Sequence, residues 1–304
     1  MFTDRNGQED DGNPFGAAET ALLDQAAGYA PGLEDEHALH QGALDYAEDK
    51  PGNFWSIRVV DCHKSFGRAK ILQGVDLGIP EGMITVIVGP SGTGKSVMIK
   101  HLIGLMFPDK GDVIVHGESL RNMTLSRLLD VRKKFGILFQ DGALFGSMSV
   151  YDNVAFPLRQ HTDLSEPEIA AIVNERLADV GLSAAAGKLP NELSGGMKKR
   201  AGFARALVLE PDIVMFDEPD SGLDPVRTAL LGQLLVEQHA LYGGTIVVVT
   251  HNVLLARQIG EHISVVWQGR VLESGMTETI IESGSEFVRQ FLSGSSRGPL
   301  GMDA

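Results

Sequence analysis

The stretch MITVIVGPSGTGKSVMIKHLIGL (83–105) decides the fold of this 304-residue chain. It begins with a run of mostly β-branched apolar residues, which is typical of a buried strand, and ends with apolar residues at helical spacing. Between them stands GPSGTGKS (89–96), which matches G-x-x-x-x-G-K-[ST] in the strand-to-helix context that the pattern requires. The stretch therefore predicts a phosphate-binding loop at the end of a strand.

The glycines let the backbone of this loop curl so that several N–H groups point at phosphate oxygens, and the following helix adds the partial positive charge of its N-terminus. We expect Lys95 to contact the β- and γ-phosphates of a nucleotide and the Ser96 hydroxyl to bind Mg²⁺. The predicted nucleotide-binding residues of the loop are Gly89, Pro90, Ser91, Gly92, Thr93, Gly94, Lys95, Ser96 and Val97. The alternative interpretation is a structural glycine-rich turn.

Strand-like and helix-like segments alternate on both sides of the loop. Further strands are predicted in WSIRVVDC, DVIVHG, FGILFQ, DIVMFDE, TIVVVTH and ISVVWQG, and helices in 95–105, 166–180, 197–209 and 225–241. This alternation predicts an α/β fold with a parallel core. No convincing strand lies between FGILFQ and DIVMFDE, so residues 141–210 are interpreted as an inserted helical subdomain.

Charge is distributed unevenly along the chain. Residues 1–53 hold 12 of the 40 acidic residues and 2 of the 26 Lys and Arg, so they carry −10 of the net charge of −14. We predict that they form a mostly disordered acidic tail. The remaining chain is nearly neutral, which argues against nucleic acid as the main partner because its phosphates are bound by clustered Lys and Arg.

Composition also limits the compartment. The single Cys62 excludes an intrachain disulfide, and the polar, acidic start of the chain does not resemble a secretory signal. Uninterrupted apolar stretches such as IVVV (246–249) are far shorter than the roughly 20 residues of a membrane span. We therefore expect a cytoplasmic protein whose membrane role comes through a partner.

A second motif is IVMFDEP (213–219), an apolar strand that ends in two acidic residues. Asp217 is a candidate ligand of Mg²⁺, and Glu218 is a candidate general base that polarises the attacking water. The alternative is an acidic residue that caps the next helix.

A third motif, LSGGM (193–197), precedes the basic helical segment KKRAGFARAL and resembles the signature of ABC-type ATPases, LSGGQ. Ser194 and the backbone of Gly195 and Gly196 would form a second anion-binding surface at a helix N-terminus. The resemblance implies an ABC-type P-loop nucleotide-binding domain with an inserted helical signature subdomain. It also implies a head-to-tail homodimer in which each ATP lies between the loop of one subunit and the signature of the other.

The other motifs of that family follow in order, and their roles are implied by the resemblance. Gln140, at the end of FGILFQ, matches the glutamine that reaches Mg²⁺ and the attacking water. Asp224 in SGLD lies at the dimer seam, and His251 at the end of TIVVVTH contacts the γ-phosphate. Phe66 matches the aromatic residue that stacks on adenine. ATP and Mg²⁺ are the implied cofactors, and Lys95, Gln140, Glu218 and His251 are the candidate catalytic residues.

The segments LFQDGALFGSMSVYDNVAFPLR (138–159), KKRAGFARALVLEPD (198–212) and DEPDSGLDPVRTALL (217–231), with Met197 in place of Gln, are similar to the ATPases of Mce-type lipid transporters. Among these the chain resembles the actinobacterial branch called MceG more than the branch called MlaF. The resemblance implies an ATPase that drives lipid or sterol import from the inner face of the cell membrane, bound to a YrbE-like permease and indirectly to Mce proteins.

Three details complete the predicted organisation. We predict an acidic tail at 1–53, an ATPase domain at 54–292 and a C-terminal tail at 293–304. A separate hypothesis is that the C-terminal segment 285–304 clasps the other subunit. Residues 142–158 are interpreted either as the groove for a coupling helix of the permease or as the core of the helical subdomain, with apolar positions at Leu144, Phe145, Met148, Val150 and Tyr151. The cluster Lys198, Lys199 and Arg200 is interpreted as a solvated face.

Other functions remain open at this stage. A sugar or amino-acid importer would use the same ATPase, although only 53 residues follow His251, too few for the regulatory domain that sugar importers often add. A soluble ABC ATPase of DNA repair is disfavoured because only 96 residues separate Ser96 from Leu193, which leaves no room for long coiled coils. One of translation is disfavoured because translation factors usually have two ATPase halves, and one is present here. A module that binds ATP without hydrolysis is disfavoured by the presence of Gln140, Glu218 and His251.

Overall fold

The computed structural model describes residues 55–140 and 142–301. The predicted acidic tail at 1–53 lies outside the described residues, as do Asp141 and residues 302–304.

A six-stranded sheet forms the centre of the fold, in the order β10–β9–β3–β8–β7–β6. Strands β9, β3, β8, β7 and β6 are parallel to one another, and β10 pairs antiparallel at the edge. These strands are β3 (Ile84–Val88), β6 (Phe135–Leu138), β7 (Ile213–Asp217), β8 (Thr245–Thr250), β9 (His262–Trp267) and β10 (Arg270–Met276). The expected α/β fold with a parallel core is confirmed.

A second sheet of four strands is antiparallel, in the order β2–β1–β4–β5. Its strands are β1 (Trp55–Phe66), β2 (Ala69–Pro80), β4 (Lys110–Val115) and β5 (Glu118–Ser119). Strands β1 and β2 form a hairpin, since Phe66 pairs with Ala69 across the turn. This separate sheet was not expected from the sequence.

The helices of the described residues connect these strands. They are α1 (Lys95–Leu102), α2 (Leu125–Arg132), α3 (Val150–His161), α4 (Glu166–Asp179), α5 (Gly195–Leu207), α6 (Pro225–Tyr242), α7 (Val253–Ile259), α8 (Thr277–Ile281) and α9 (Glu286–Ser293). Helices α3, α4 and α5 all lie between β6 and β7, where the sequence lacks a strand pattern. None of the helices in the described part of the chain is long and apolar enough to cross a bilayer.

Apolar side chains cover both faces of the central sheet. Every residue of β3 and β8 is buried, which explains why their sequences read as continuous apolar runs rather than as alternating ones. Because successive side chains of a strand point to opposite faces, Val86 and Val248 join one apolar cluster while Ile87, Val247 and Val249 join another. The sheet is thus fixed from both sides, and its strand ends are rigid supports for a site.

Candidate functional site

Four parallel strands end at one edge of the central sheet. The register pairs Val88 of β3 with Thr250 of β8, and Asp217 of β7 with Val249 of β8. Strand β6 ends beside β7, where Leu138 pairs with Phe216. The phosphate loop, Glu218 and His251 directly follow these ends, Asp217 is the last residue of β7, and Gln140 lies two residues after β6. The fold therefore brings them to the same edge, where α/β proteins bind ligands.

The phosphate loop fits its place only with glycine at two positions. A Cβ on Gly89 would lie 2.1 Å from the backbone oxygen of Val266, so the loop passes directly against the end of β9. Gly94 has a φ of 94° and occupies the N-cap of α1, where a side chain would also contact Ile71 of β2. Helix α1 therefore begins at Lys95 with its free N–H groups directed at the loop.

Lys95 is buried, with 5% of its surface exposed. Its ammonium donates to the carbonyls of Gly89 at 2.8 Å and Pro90 at 2.7 Å. Burial lowers the pKa of Lys95, while the nearby carboxylates of Glu218 and Asp217 oppose that shift. The cation thus lies within the loop, in the electrostatic field of both acidic residues.

The remaining loop residues differ in exposure. The Thr93 hydroxyl donates to the Pro90 carbonyl at 2.9 Å, which closes the turn. Ser91, Gly92 and Ser96 are exposed, and Val97 packs against the apolar cluster beneath the sheet. The exposed positions leave the concave side of the loop accessible to a ligand.

Asp217 has the features of a metal ligand. Its Oδ1 is buried and has no hydrogen-bond partner among the described residues. Burial raises the pKa of this carboxyl, and a hydrogen bond from the Ser96 hydroxyl opposes the shift. A buried carboxylate oxygen without a partner is costly unless a cation or a donor satisfies it. Asp217 and Ser96 therefore form an oxygen donor pair that suits Mg²⁺.

Glu218 and His251 lie next to each other at the ends of β7 and β8. The Nδ1 atom of His251 is 3.4 Å from Oε1 of Glu218. Glu218 has a φ of 47°, a conformation that residues other than glycine rarely adopt and that is found in sites whose surroundings hold it. Its amide donates to the carbonyl of Val249 at 2.8 Å, so the neighbouring strand provides that support.

Sequence reasoning did not single out Asp220, which connects the segment after Glu218 to the segment around His251. Asp220 is 6% exposed and accepts a hydrogen bond from the Thr250 hydroxyl at 2.8 Å. The same hydroxyl accepts from the Asn252 amide at 3.0 Å, and Asn252 caps α7. The sequence signal for this contact is a third acidic residue shortly after Asp217 and Glu218.

The signature residues begin α5. Ser194 is its N-cap and accepts from the Met197 amide at 3.3 Å, and Gly195 and Gly196 form its first turn. Ser194 and Gly195 are exposed, so the positive end of the helix faces solvent. Met197 is partly buried and packs against the core, which gives its apolar side chain a structural role.

A groove of about 470 Å³ runs beside the signature, between α5 and α6. Asp224 is the N-cap of α6 and accepts from the Arg227 amide at 3.0 Å. The Lys199 ammonium donates to the Ser221 backbone and hydroxyl, which ties α5 to the segment that leads into α6. The signature and Asp224 are therefore mounted on two connected helices.

The expected solvated face at Lys198, Lys199 and Arg200 is wrong for Lys199, which is 6% exposed. Lys198 and Arg200 keep accessible surface, and Arg200 donates to the carbonyl of Val180 at 2.6 Å.

Phe66 and Gln140 lie in exposed turns. Phe66 is 48% exposed at the tip of the β1–β2 hairpin, with the Lys64 ammonium 5.9 Å from its ring centroid. Strand β2 of this hairpin contacts Gly94 through Ile71, so the hairpin and the phosphate loop are neighbours. Gln140 is exposed two residues after β6.

The apolar residues after Gln140 divide between the two interpretations. Val150 is fully buried in the core, and Leu144 and Tyr151 are partly buried against it. Phe145 and Met148 are also only partly buried, and the ring of Phe145 packs 4.9 Å from that of Phe156. Core packing thus accounts for Val150, and the other four positions retain accessible surface.

Comparison with known proteins places this site in a family. A family model described as ABC transporter matches residues 72–221, and an AAA domain model matches residues 189–257. The "Probable ribonucleotide transport ATP-binding protein mkl" of Mycobacterium tuberculosis is 51% identical over 247 residues, which cover 81% of this chain and 69% of that protein. The "Intermembrane phospholipid transport system ATP-binding protein MlaF" of Escherichia coli K12 is 42% identical over 234 residues, 77% of this chain and 87% of that protein.

Solved structures give the same result. The chain is similar to cbiO1 of Clostridium perfringens, part of an ABC transporter complex, with a TM-score of 0.69 and 29% identity over 78% of this chain and 95% of that one. It is also similar to an ATP-binding cassette solved as a dimer bound to ADP and Pi, with a TM-score of 0.67 and 32% identity over 72% of this chain and 98% of that one.

Proposed function

This chain belongs to the family of ABC transporter ATP-binding proteins, and we propose that it energises lipid or sterol import through an Mce-type transporter. It is an ATPase, and its role is that of the energising subunit of a transporter. The observation that carries the chemistry is the edge of the sheet at which Lys95, Asp217, Glu218 and His251 meet.

In the proposed reaction Lys95 and the loop amides hold the β- and γ-phosphates and neutralise charge that develops on the transferred group. Glu218 accepts the proton of the attacking water, because its carboxylate stands at the strand end beside His251. His251 orients Glu218 and contacts the γ-phosphate. Phe66 stacks on the adenine ring, since its face is exposed on a hairpin that contacts the loop.

The donor set at the site fits Mg²⁺. Ser96 and Asp217 supply a hydroxyl and a buried carboxylate oxygen that lacks a partner, and Gln140 supplies an amide oxygen from the neighbouring strand end. When bound, Mg²⁺ would neutralise phosphate charge. Hard cations prefer such oxygen ligands, so the residues present suit this ion.

We propose that two copies of the chain work head to tail. Ser194, Gly195 and Gly196 begin α5 at a helix N-terminus where Ser194 and Gly195 are exposed, and Asp224 is the N-cap of the connected helix α6. A partner's ATP would satisfy this anion-binding surface. A similar cassette has been solved as a dimer, which supports this arrangement.

The proposed organisation is an ATPase domain at 54–292 with a helical subdomain at about 141–210, preceded by the acidic tail at 1–53 and followed by a C-terminal tail at 293–304. The dimer would lie on the inner face of the membrane, under a YrbE-like permease that receives Mce-bound lipid. Leu144, Phe145, Met148 and Tyr151 keep accessible apolar surface after Gln140 and are the proposed contact for the permease.

The relatives' names point to two substrates. MlaF is named for phospholipid transport and mkl for ribonucleotide transport, so a ribonucleotide transporter is the second candidate. We favour lipid because residues 138–159 and 217–231 carry the motif variants that resemble Mce-type ATPases. The ATPase site itself does not discriminate between them, since the substrate passes through the permease.

Reconstitution distinguishes the two candidates. The ATPase and its permease are placed in liposomes, and ATP-dependent movement is measured for a fluorescent phospholipid and, separately, for a radiolabelled ribonucleotide. Lipid movement that Glu218→Gln abolishes is the expected result. Ribonucleotide movement without lipid movement would replace the lipid assignment and leave the ATPase assignment intact.

A further inference from the structure

Arg205 connects two parts of the site that are distant in sequence. It lies near the end of α5, the helix that begins at the signature, and its guanidinium donates to the carbonyl of Ala143 at 2.8 Å and of Gly142 at 3.0 Å. We propose that Arg205 is a positioning residue for ATP hydrolysis, which fixes the segment after Gln140 to the signature helix so that both move as one body. This inference rests on the proposed function, because it requires that Gln140 acts on the nucleotide.

The segment that Arg205 holds has an unusual backbone. Gly142 has a φ of 76° and Ala143 a φ of 45°, so two successive residues lie in the left-handed region. Such a conformation at a residue with a side chain persists only where surrounding contacts hold it. The two carbonyls bound by Arg205 belong to these residues, so the guanidinium stabilises the backbone two and three residues after Gln140.

Helix α5 and this segment are also in close backbone contact. A Cβ on Gly202, one turn before Arg205, would lie 3.0 Å from the Gly142 oxygen and 2.5 Å from Cδ1 of Leu138. The helix therefore approaches both the end of β6 and the turn that follows it. Little free space remains for the turn to move independently of α5.

Asn153 of α3 holds the other end of the segment. It is fully buried, accepts from the Phe145 amide at 2.8 Å and donates to the carbonyls of Phe145 at 3.1 Å and Ser149 at 2.9 Å. The Arg205 guanidinium lies 5.7 Å from the centroid of the Phe145 ring. The backbone from Gly142 to Ser149 is thus held by one side chain from α5 and one from α3.

The described hydrogen bonds of Arg205 fix backbone atoms. Burial lowers the pKa of its guanidinium, whose donors bind the carbonyls of Gly142 and Ala143. The planar fork of arginine holds two neighbouring carbonyls at once, which the single ammonium of lysine does less well. The side chain therefore donates its hydrogen bonds to backbone carbonyls.

The test uses the full-length chain with Arg205→Met, which keeps an apolar side chain of similar length but no donor. Single-turnover hydrolysis is expected to slow about tenfold while the Kd for ATP, measured by fluorescence titration, stays within about twofold. Arg132→Met is the matched control, because Arg132 is also a partly buried arginine that donates to a loop carbonyl, that of Gly104, away from Gln140. Its turnover is expected to stay within about twofold of the wild type.

A double-mutant cycle with Gln140→Ala separates positioning from a general structural role. If Arg205 acts through Gln140, Arg205→Met slows a chain that already carries Gln140→Ala by less than about twofold, because the two losses are not additive. Additive losses would overturn the inference and leave the proposed function standing. Unchanged turnover in Gln140→Ala alone would instead contradict the role proposed for Gln140, and with it this inference.

Arg205→Lys keeps the test informative if Arg205→Met does not fold. Lysine retains the charge and one strong donor, so we expect a well-folded chain whose turnover falls by about threefold, again only when Gln140 is present. Wild-type turnover in Arg205→Lys, or a loss of the same size in a chain that also carries Gln140→Ala, would overturn the proposal.

Discussion

The Nδ1 atom of His251 lies 3.4 Å from Oε1 of Glu218, where two neighbouring strands of the central sheet end. The side chain of Glu218 is 21% exposed and that of His251 is 49% exposed, so both are accessible to water. An imidazole at this distance restricts the orientation of the carboxylate without taking up all its acceptor positions. The pair can therefore direct a water molecule while one carboxylate oxygen remains free to accept a proton.

The first prediction concerns Glu218. Glu218→Gln keeps the shape of the side chain but removes the proton acceptor, so turnover is expected to fall roughly 10²- to 10⁴-fold. ATP affinity should be unchanged, since the phosphates are held by the loop. Phosphate release and ATP titration measure the two effects, with the exposed Glu282→Gln as control. Near-normal hydrolysis in Glu218→Gln would remove Glu218 from the role of general base.

The second prediction concerns Lys95. Lys95→Ala removes the buried ammonium that faces the phosphates, so ATP affinity is expected to fall about tenfold or more. Lys133→Ala, an exposed lysine that pairs with Asp130, should bind ATP as the wild type does. Isothermal titration measures both. Equal affinity of the Lys95→Ala chain and the wild type would contradict the phosphate-loop assignment.

The third prediction concerns pH and the free energy of unfolding. The pKa of Asp217 is raised above 3.8 by burial, so the folded chain holds this proton more tightly than the unfolded chain does. As pH rises from 3.8 through the raised pKa, the ionised carboxylate lowers the stability of the fold. At neutral pH without Mg²⁺, Asp217→Asn should therefore raise the free energy of unfolding by about 1 kcal/mol.

Urea unfolding at several pH values measures this gain, which should shrink as the pH is lowered toward the ordinary pKa of an aspartate. The same variant should lose Mg²⁺-dependent turnover, because the carboxylate oxygen without a partner is the proposed ligand. A chain with Asp217→Asn that is less stable than the wild type at neutral pH would show that the carboxylate has a structural partner.

The fourth prediction compares how much a buried and an exposed arginine contribute to the free energy of unfolding. Arg176 of α4 is 5% exposed, and its guanidinium lies 4.0 Å from the ring centroid of Tyr242 at the end of α6. It also pairs with Glu210 at 2.7 Å. Arg176→Met should lower the free energy of unfolding by about 2 kcal/mol. Arg159→Met breaks two exposed pairs, with Asp152 and Glu166, and should cost less than about 1 kcal/mol.

Urea denaturation compares the two variants, and ATP turnover at a temperature where both are folded should be unchanged. If both variants lost the same free energy of unfolding, burial would not make the contacts of Arg176 more stabilising than those of Arg159.

Several parts of the fold were predictable from local pattern. Strands β3 and β8 are buried on both faces, so their apolar runs stand out, and the residues that follow them belong to the site. Strands β2 and β10 were missed because they mix buried and exposed positions and contain glycine. Helix α3 was not delimited, since Pro157 interrupts its helical pattern.

Some residues of the candidate site were likewise predictable from local pattern, and others were not. Residues at or directly after strand ends, such as Asp217 and His251, could be found from sequence order. Asp220, Asn153 and Arg205 could not, because their partners are tens of residues away or depend on how a turn folds. Arg205 lies between the buried residues Ala204 and Ala206. The sequence signal for its role was therefore an arginine within an apolar helical segment.

The most direct test of the account is a purification from native membranes with the Glu218→Gln chain and ATP, which should hold the closed dimer on its permease. The chain that also carries Lys95→Ala is the control. We predict that YrbE-like permeases and Mce proteins are recovered with bound lipid, and only when ATP binding is intact. Recovery of another permease, or of ribosomes or DNA-repair factors, would contradict the lipid-import assignment.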